Sequence, residues 1–196
     1  MKTGIIILAA GNSSRLGQPK QLLAYRGKTL LRLTMDAALA SDFRPIIMVL
    51  GAYAGEISKR HSTPEITCVI NENWEEGMSS SIAIGLEALL KQQADVGNAI
   101  ISVADQAFIN AGIFESLAKT HEAKGKNIVA CAYAETKGTP TLFNKKYFEQ
   151  LLSLTGNRGA KHIFEQHPED LETIDFELGH IDIDTATDYI NLINHT

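Results

Sequence analysis

The chain has 196 residues and a formal net charge of −5, is 44% hydrophobic and carries no basic block. That length fits one domain, residues 1–196, able to bury well over half of its unfolded surface, and the dispersed charge excludes a nucleic-acid footprint. No apolar run is long enough to cross a membrane, and Cys68 and Cys131, set among apolar neighbours without Cys-x-x-Cys spacing, predict buried reduced thiols in a cytoplasmic protein with no targeting segment.

Residues 4–9 form a continuous apolar run without helical period, the pattern of a strand buried on both faces of a parallel sheet. Behind it, Leu-Ala-Ala-Gly-Asn-Ser-Ser-Arg-Leu-Gly-Gln-Pro-Lys-Gln-Leu-Leu (8–23) is a glycine- and serine-rich turn carrying Arg15 and Lys20. Gly11 and Gly17 let backbone approach phosphate, loop N–H groups supply neutral donors, and the two cations offset phosphate charge that water no longer solvates. Five residues separate the glycines and Lys20 comes three after the second, so this is not a Walker loop. Asn12-Ser13 after Gly11 likewise breaks Gly-x-Gly-x-x-Gly. The competing account is an ordinary strand-to-helix loop with a solvated arginine.

Residues 29–40 place Leu30, Leu33, Ala37 and Ala40 on one stripe behind a Thr29 cap, an amphipathic helix. A strand follows over 44–50, ended by Gly51, then a helix over 56–60 and a short strand over 66–70. A helix over 79–91 buries Ile82, Leu86 and Leu89, and a second fully apolar strand spans 99–104. Next come a helix over 111–124, strands over 127–133 and 141–143, and helices over 145–154 and 157–166. The end reads strand, turn, helix. In His180-Ile181-Asp182-Ile183-Asp184-Thr185, strand alternation sends both isoleucines to one face and both aspartates to the other. Thr185 and Asp188 form a capping box for a helix over 186–193. This alternation predicts a three-layer α/β/α sheet with helices on both faces, whose ligands bind beyond the carboxyl ends of the strands. The loop over 9–20, Asp105 and Asp184 all fall there.

Asp105 lies one residue beyond an apolar strand, a place that suits a solvated loop carboxylate or a ligand for a hard cation. Gly77-Met78-Ser79-Ser80-Ser81 precedes a helix. A plain cap explains one serine; three exposed hydroxyls with helix N–H groups can bind a base edge or an anion. Trp74 reads as a core or lid anchor. The six histidines form no metal-spaced cluster.

The ordered series of residues 8–23, Asn71-Glu72-Asn73-Trp74-Glu75-Glu76-Gly77-Met78-Ser79-Ser80-Ser81, Ala104-Asp105-Gln106, Gly138-Thr139-Pro140, Gly156-Asn157-Arg158-Gly159-Ala160-Lys161 and Asp182-Ile183-Asp184-Thr185 spans nearly the whole chain. In it the protein resembles the nucleotidyltransferases of molybdenum cofactor biosynthesis, the cytidylyltransferase branch more than the guanylyltransferase branch. The resemblance implies the Rossmann-like nucleotide-diphospho-sugar transferase fold, a mostly parallel sheet with one antiparallel edge strand. It implies Mg2+-dependent transfer of CMP from CTP to molybdopterin cofactor with release of pyrophosphate, in the service of a molybdoenzyme of the xanthine oxidase type.

By the same resemblance, Leu8, Ala9, Ala10, Gly11, Ser13, Ser14, Arg15 and Lys20, with Gly77, Met78, Ser79, Ser80 and Ser81, bind the nucleotide. Arg15, Lys20 and Asp105 are catalytic, and Asp105 and Asp184 bind metal, with Asp182 the second choice. Gln106, Lys137, Gly138, Pro140 and Lys161 meet the acceptor. Alanine at position 10, where guanylyl-transferring relatives usually have glycine, implies CTP over GTP. The chain departs from the pattern at Ala107, usually proline; at Lys137, often arginine; and at 156–161, usually Gly-Asp-x-Gly-Ala-Arg. Lys161 thus offers a point charge where a planar, bidentate cation is usual. GTP as donor, a phosphorylated sugar or alcohol as acceptor, and a non-catalytic nucleotide-binding accessory role remain the alternatives.

Overall fold

The apolar run that opens the chain becomes strand β1 (Lys2–Ala9), in which Ile5, Ile6 and Ile7 are fully buried because both faces of the sheet are covered. The computed structural model describes residues 1–156 and 159–194. In chain order, β1 is followed by a small hairpin, β2 (Ala24–Tyr25) and β3 (Lys28–Thr29), helix α1 (Leu30–Ala40), β4 (Ile46–Leu50), α2 (Ala54–His61) and β5 (Thr67–Ile70). Then come α3 (Met78–Gln92), β6 (Val96–Val103), α4 (Ala111–Lys124), β7 (Ile128–Tyr133), β8 (Thr136–Asn144), α5 (Phe148–Leu152), α6 (Lys161–Gln166), β9 (Leu171–Asp175) and α7 (Ala186–Asn194). Among the described residues, no helix is long and apolar enough to cross a membrane.

The main sheet has the order β5-β4-β1-β6-β8-β7-β9, mostly parallel, with helices on both sides. Ile5 and Ile7 pack into one core with Leu31 and Met35 of α1 and Phe114 and Leu117 of α4. Ile6 and Leu8 pack into the other with Ile82, Leu86 and Leu89 of α3. At Gly85 an added Cβ would lie 2.5 Å from Ile6 Cγ2, so α3 lies close on β1 and its N-terminus is held at the carboxyl edge of the sheet. A third cluster joins Leu23, Tyr25, Leu30, Ala107, Ile183 and Leu192, and seats α7.

Several expectations need correction. The antiparallel strand, β8, is interior, and the sheet edges are β5 and β9. Ala134 and Glu135, both at positive φ, turn β7 straight back into β8, which inserts between β7 and β6. β8 is also longer than 141–143. Its register against β7 slips between Ala130 and Cys131, so Pro140 falls at the irregularity, where a central strand tolerates the missing donor. The buried face of α1 is Leu30, Leu31, Thr34, Met35, Ala37 and Ala38, with Leu33 half-buried and Ala40 exposed, because the helix meets the sheet, α4 and the third cluster together. Residues 145–154 divide into a 3-10 turn and α5, and α6 begins only at Lys161; Asn157 and Arg158 lie outside the described residues. Residues 180–184 form no strand. His180 ends a 3-10 turn and 181–184 run on from it, with Ile183 plugging the third cluster while Asp182 stays exposed. Cys131 is buried, its thiol pushed up to about 12 by burial, but Cys68 is only half-buried.

Asp170, just before β9, is a buried junction. It accepts from Asn127 N and Nδ2 (3.0 Å each), Lys146 Nζ (2.7 Å) and the Tyr147 hydroxyl (2.8 Å). Burial alone would raise its pKa, but these donors together hold the carboxyl well below the usual carboxylate range. A depressed folded-state pKa contributes stability above the unfolded value near 3.8, and that contribution is lost as pH falls below it. Asp170→Asn is therefore expected to lower unfolding free energy by about 1–3 kcal/mol at neutral pH. Denaturant titrations should show the gap to wild type narrowing as pH falls below that value; a gap unchanged with pH would contradict this.

Candidate active site

Strands β1 and β6 are neighbours, with Leu8 opposite Val103, so the segments that follow them open at one edge of the sheet. The segment after β1 is tied down through its carbonyl oxygens. Ala9 O and Gly11 O accept from Gln21 Nε2 (3.1 and 2.9 Å), Ala10 O from Ala52 N (3.2 Å), Asn12 O from the Tyr53 hydroxyl (3.0 Å) and Ser13 O from Leu16 N (2.9 Å). In a trans peptide the N–H points opposite the C=O. With these carbonyls occupied, the N–H groups of Gly11, Asn12 and Ser13 make no hydrogen bond among the described residues and are left for an anion, while Ser14 N donates to Asn12 Oδ1 (3.2 Å). Ser13, at φ 51°, makes the turn, and its Oγ accepts from Lys20 N (3.1 Å).

A cleft of about 580 Å³ opens above this loop. Leu8, Ala10, Gly11, Asn12, Ser13, Ser14, Arg15, Lys20 and Gln21 form one wall, Trp74, Glu75, Gly77, Met78 and Ser81 another, and Val103, Ala104, Asp105 and Asp184 complete it. Lys20 Nζ lies 2.6 Å from Asp105 Oδ2 and 2.8 Å from Asp184 Oδ1, and Arg15 Nη2 lies 2.5 Å from Asp184 Oδ2. The other Asp105 oxygen, Oδ1, is buried without a partner among the described residues.

These charges set one another's protonation. Burial would lower the Lys20 pKa, but Asp105 and then Asp184 outweigh it and the net direction is up. The Lys20 hydrogen bond holds Asp184 down against burial, with help from Arg15. Asp182 keeps solvent on one side, yet crowding by protein and then the charge of Asp105 push it up to about 6. Asp184 is set in place by the capping box: Thr185 Oγ1 donates to Asp188 Oδ2 (2.8 Å), and Asp188 N donates to Thr185 Oγ1 (3.2 Å).

Most residues expected at the nucleotide and metal site meet in the cleft, with exceptions. Ala9 lies buried beneath the loop, and Asp182 stands outside the lining. Ser79 and Ser80 do not present exposed hydroxyls: Ser79 is fully buried, and Ser80 Oγ donates to Gly77 O (2.8 Å). The expected acceptor set is not gathered there. Gln106 is fully buried, its Nε2 donating to Thr139 O (2.9 Å) and Gly179 O (3.1 Å); Gly138 and Pro140 are within β8; Lys137 is exposed on that strand; and Lys161 Nζ reaches Thr136 Oγ1 (3.4 Å). Sequence reasoning missed Gln21, Tyr53, Glu75 and Asn71. An amide directly behind the cation of a carbonyl-rich loop, and Asn-x-Asn before a helix, were the available signals.

Among the described residues, no group of three or more His, Cys, Asp or Glu side chains is arranged to hold a metal ion. Two carboxylates and one unpartnered carboxylate oxygen suit a hard cation that keeps water and phosphate oxygens as its other ligands.

Residues 5–171 match the MobA-like NTP transferase domain. The chain is 27% identical to nicotine blue oxidoreductase of Paenarthrobacter nicotinovorans, covering 96% of this chain and 95% of that one. It is 26% identical to molybdenum cofactor cytidylyltransferase of Escherichia coli K12, covering 94% and 92%. The solved Rv0371c homologue from Mycobacterium sp. strain JC1 superposes with a TM-score of 0.85 at 30% identity, over 98% of this chain and 95% of that one.

Proposed function

This chain belongs to the family of MobA-like NTP transferase domains, and we propose that it transfers CMP from CTP to the terminal phosphate of molybdopterin cofactor, releasing pyrophosphate. It is a nucleotidyltransferase, and nucleotidyltransferases of this family typically use divalent metals. The observation that carries the reading is Lys20 held between Asp105 and Asp184 beside a loop whose carbonyls at 9–13 are all occupied by hydrogen bonds.

The cleft's own charges do not balance a triphosphate. Arg15 and Lys20 face Glu75, Asp105 and Asp184, with Asp182 nearby, so anion binding calls for an added cation. In the proposed site Asp105 and Asp184 would hold Mg2+, which would supply positive charge to offset that of the triphosphate and of the departing pyrophosphate. Lys20 pairs with both carboxylates and turns to the phosphates when they arrive. The loop N–H groups cradle the triphosphate, and Arg15, at the exposed rim, closes on its outer phosphates. What remains is alignment of the α-phosphorus for in-line attack. A phosphate acceptor is already ionised at neutral pH and needs no proton removed.

The E. coli relative's name supports the acceptor and the nucleotide. The other relative's name refers to redox chemistry, for which this chain lacks the Gly-x-Gly-x-x-Gly dinucleotide loop. Retention of Lys20, Asp105 and Asp184 as one ionic cluster speaks against a binding-only accessory, whose metal ligands would be free to drift. A cytoplasmic place of action and delivery to a molybdoenzyme of the xanthine oxidase type belong to the same proposal.

Asp105→Asn keeps the shape of the side chain and removes its charge. Pyrophosphate release from CTP with molybdopterin cofactor is expected to fall by about 10²–10³-fold while the circular dichroism spectrum is retained. A near-normal rate at saturating Mg2+ would remove Asp105 from the site.

Base choice rests on Ala10. Its Cβ lies where a Cβ added to Gly51 would come within 2.9 Å of it and within 2.8 Å of Trp74 Cβ, so the wall beside the base is crowded. The methyl restricts space that a purine needs more than a pyrimidine. CTP is expected to be preferred over GTP in kcat/KM, and Ala10→Gly to recover part of the GTP activity, within the roughly 10–200-fold that one methylene commands. A native preference for GTP, or no gain in the variant, would overturn this.

A further inference from the structure

Asn71 is fully buried in the segment after β5 and reaches the first turn of α3. Its Oδ1 accepts from Asn73 N (2.9 Å), while its Nδ2 donates to Ser80 Oγ (2.8 Å) and Ser81 Oγ (2.9 Å). A backbone N–H can only donate, so the two ends of the amide are not interchangeable. Both serine oxygens are therefore acceptors from Asn71, and each hydroxyl has its own proton still to place. Ser80 gives its proton to Gly77 O (2.8 Å), with Asn73 O at 3.1 Å as the alternative. Ser81 makes no hydrogen bond as donor among the described residues, and it lines the cleft.

The wall around Ser81 suits a base. Trp74, Gly77, Met78 and Ser81 follow β5, beyond β4 on one side of β1, whereas Asp105 follows β6 on the other side. Phosphate charge belongs near Lys20 and Arg15; the apolar surface of Leu8, Ala10, Trp74 and Met78 is left for a ring.

We propose that Asn71 is a positioning residue for nucleobase recognition: by fixing Ser81 Oγ as an acceptor, it turns the Ser81 hydroxyl proton into the cleft, to donate to the C2 carbonyl or N3 edge of cytosine. This rests on the nucleotide reading of the cleft and deepens it. Asn71→Asp tests it with little change of shape. The new carboxylate still accepts from Asn73 N, but it also accepts the Ser81 proton and takes the donor away from the base.

The experiment is calorimetric titration of the full chain with CTP and, separately, with inorganic triphosphate, both with Mg2+ and without acceptor. In N71D, the Kd for CTP is expected to rise about tenfold, the worth of one hydrogen bond, while that for inorganic triphosphate stays within about twofold. The N71D/S81A double variant is expected to bind CTP no more weakly than S81A alone. Asn71→Ser, which removes the amide donor without adding charge, serves as the second variant and is expected to show the same selective loss. Equal weakening for both ligands, multiplying losses in the double variant, or unchanged CTP binding would overturn the inference alone. Wild-type protein that binds inorganic triphosphate and CTP equally would overturn it too, and wild-type protein that binds neither would overturn the reading of the cleft along with it.

Discussion

A lysine drawn between two aspartates from distant parts of the chain organises this molecule. Lys20 comes from the loop after β1, Asp105 from the end of β6 and Asp184 from the approach to α7, and their ion pairs at 2.6 and 2.8 Å hold the three together. Desolvating such groups is costly, and the cluster persists because each charge has a partner. It is also incomplete: one Asp105 oxygen is buried without a partner among the described residues, and Arg15 reaches in only from the exposed rim. An ionic cluster of this kind can exchange partners without leaving a charge stranded, which the proposed transfer requires of it.

The rest of the fold puts those partners in place. Parallel pairing of β1 with β6 brings Lys20 and Asp105 to one edge of the sheet. Gly85 lets α3 settle close on β1, which carries Ser81 and Met78 to the opposite wall. The Thr185–Asp188 capping box and the buried Ile183 fix the segment that carries Asp184. Gln21 and Tyr53 bond the carbonyls of Ala9, Gly11 and Asn12 and so fix the shape of the loop.

Much of this was legible in the sequence because its signals are local. The Thr29 cap, the capping box before α7, the bounds of α4 and the apolar strands β1 and β6 follow from neighbouring residues alone. What was not legible depends on distant partners. The first half of β8 is polar and carries Pro140, and only its place between β6 and β7 makes it a strand. Residues 181–184 alternate as a strand does, yet a hydrophobic cluster takes Ile183 in place of a sheet neighbour. The triple serine reads as three exposed hydroxyls until Asn71 is seen to claim two of them. Gln106 reads as an acceptor contact, but its amide is spent on two backbone carbonyls.

In the proposed reaction Lys20 holds the place of a divalent cation until a nucleotide arrives. Titration of Mn2+ into wild-type protein and Lys20→Met, each with and without CTP, tests it most directly. Exchange of the lysine for the metal predicts that Lys20→Met binds Mn2+ alone about tenfold more tightly than wild type, and that CTP strengthens Mn2+ binding far more in wild type than in the variant. Equal Mn2+ affinity in the two proteins without nucleotide would mean that Lys20 does not compete with the metal for the two carboxylates.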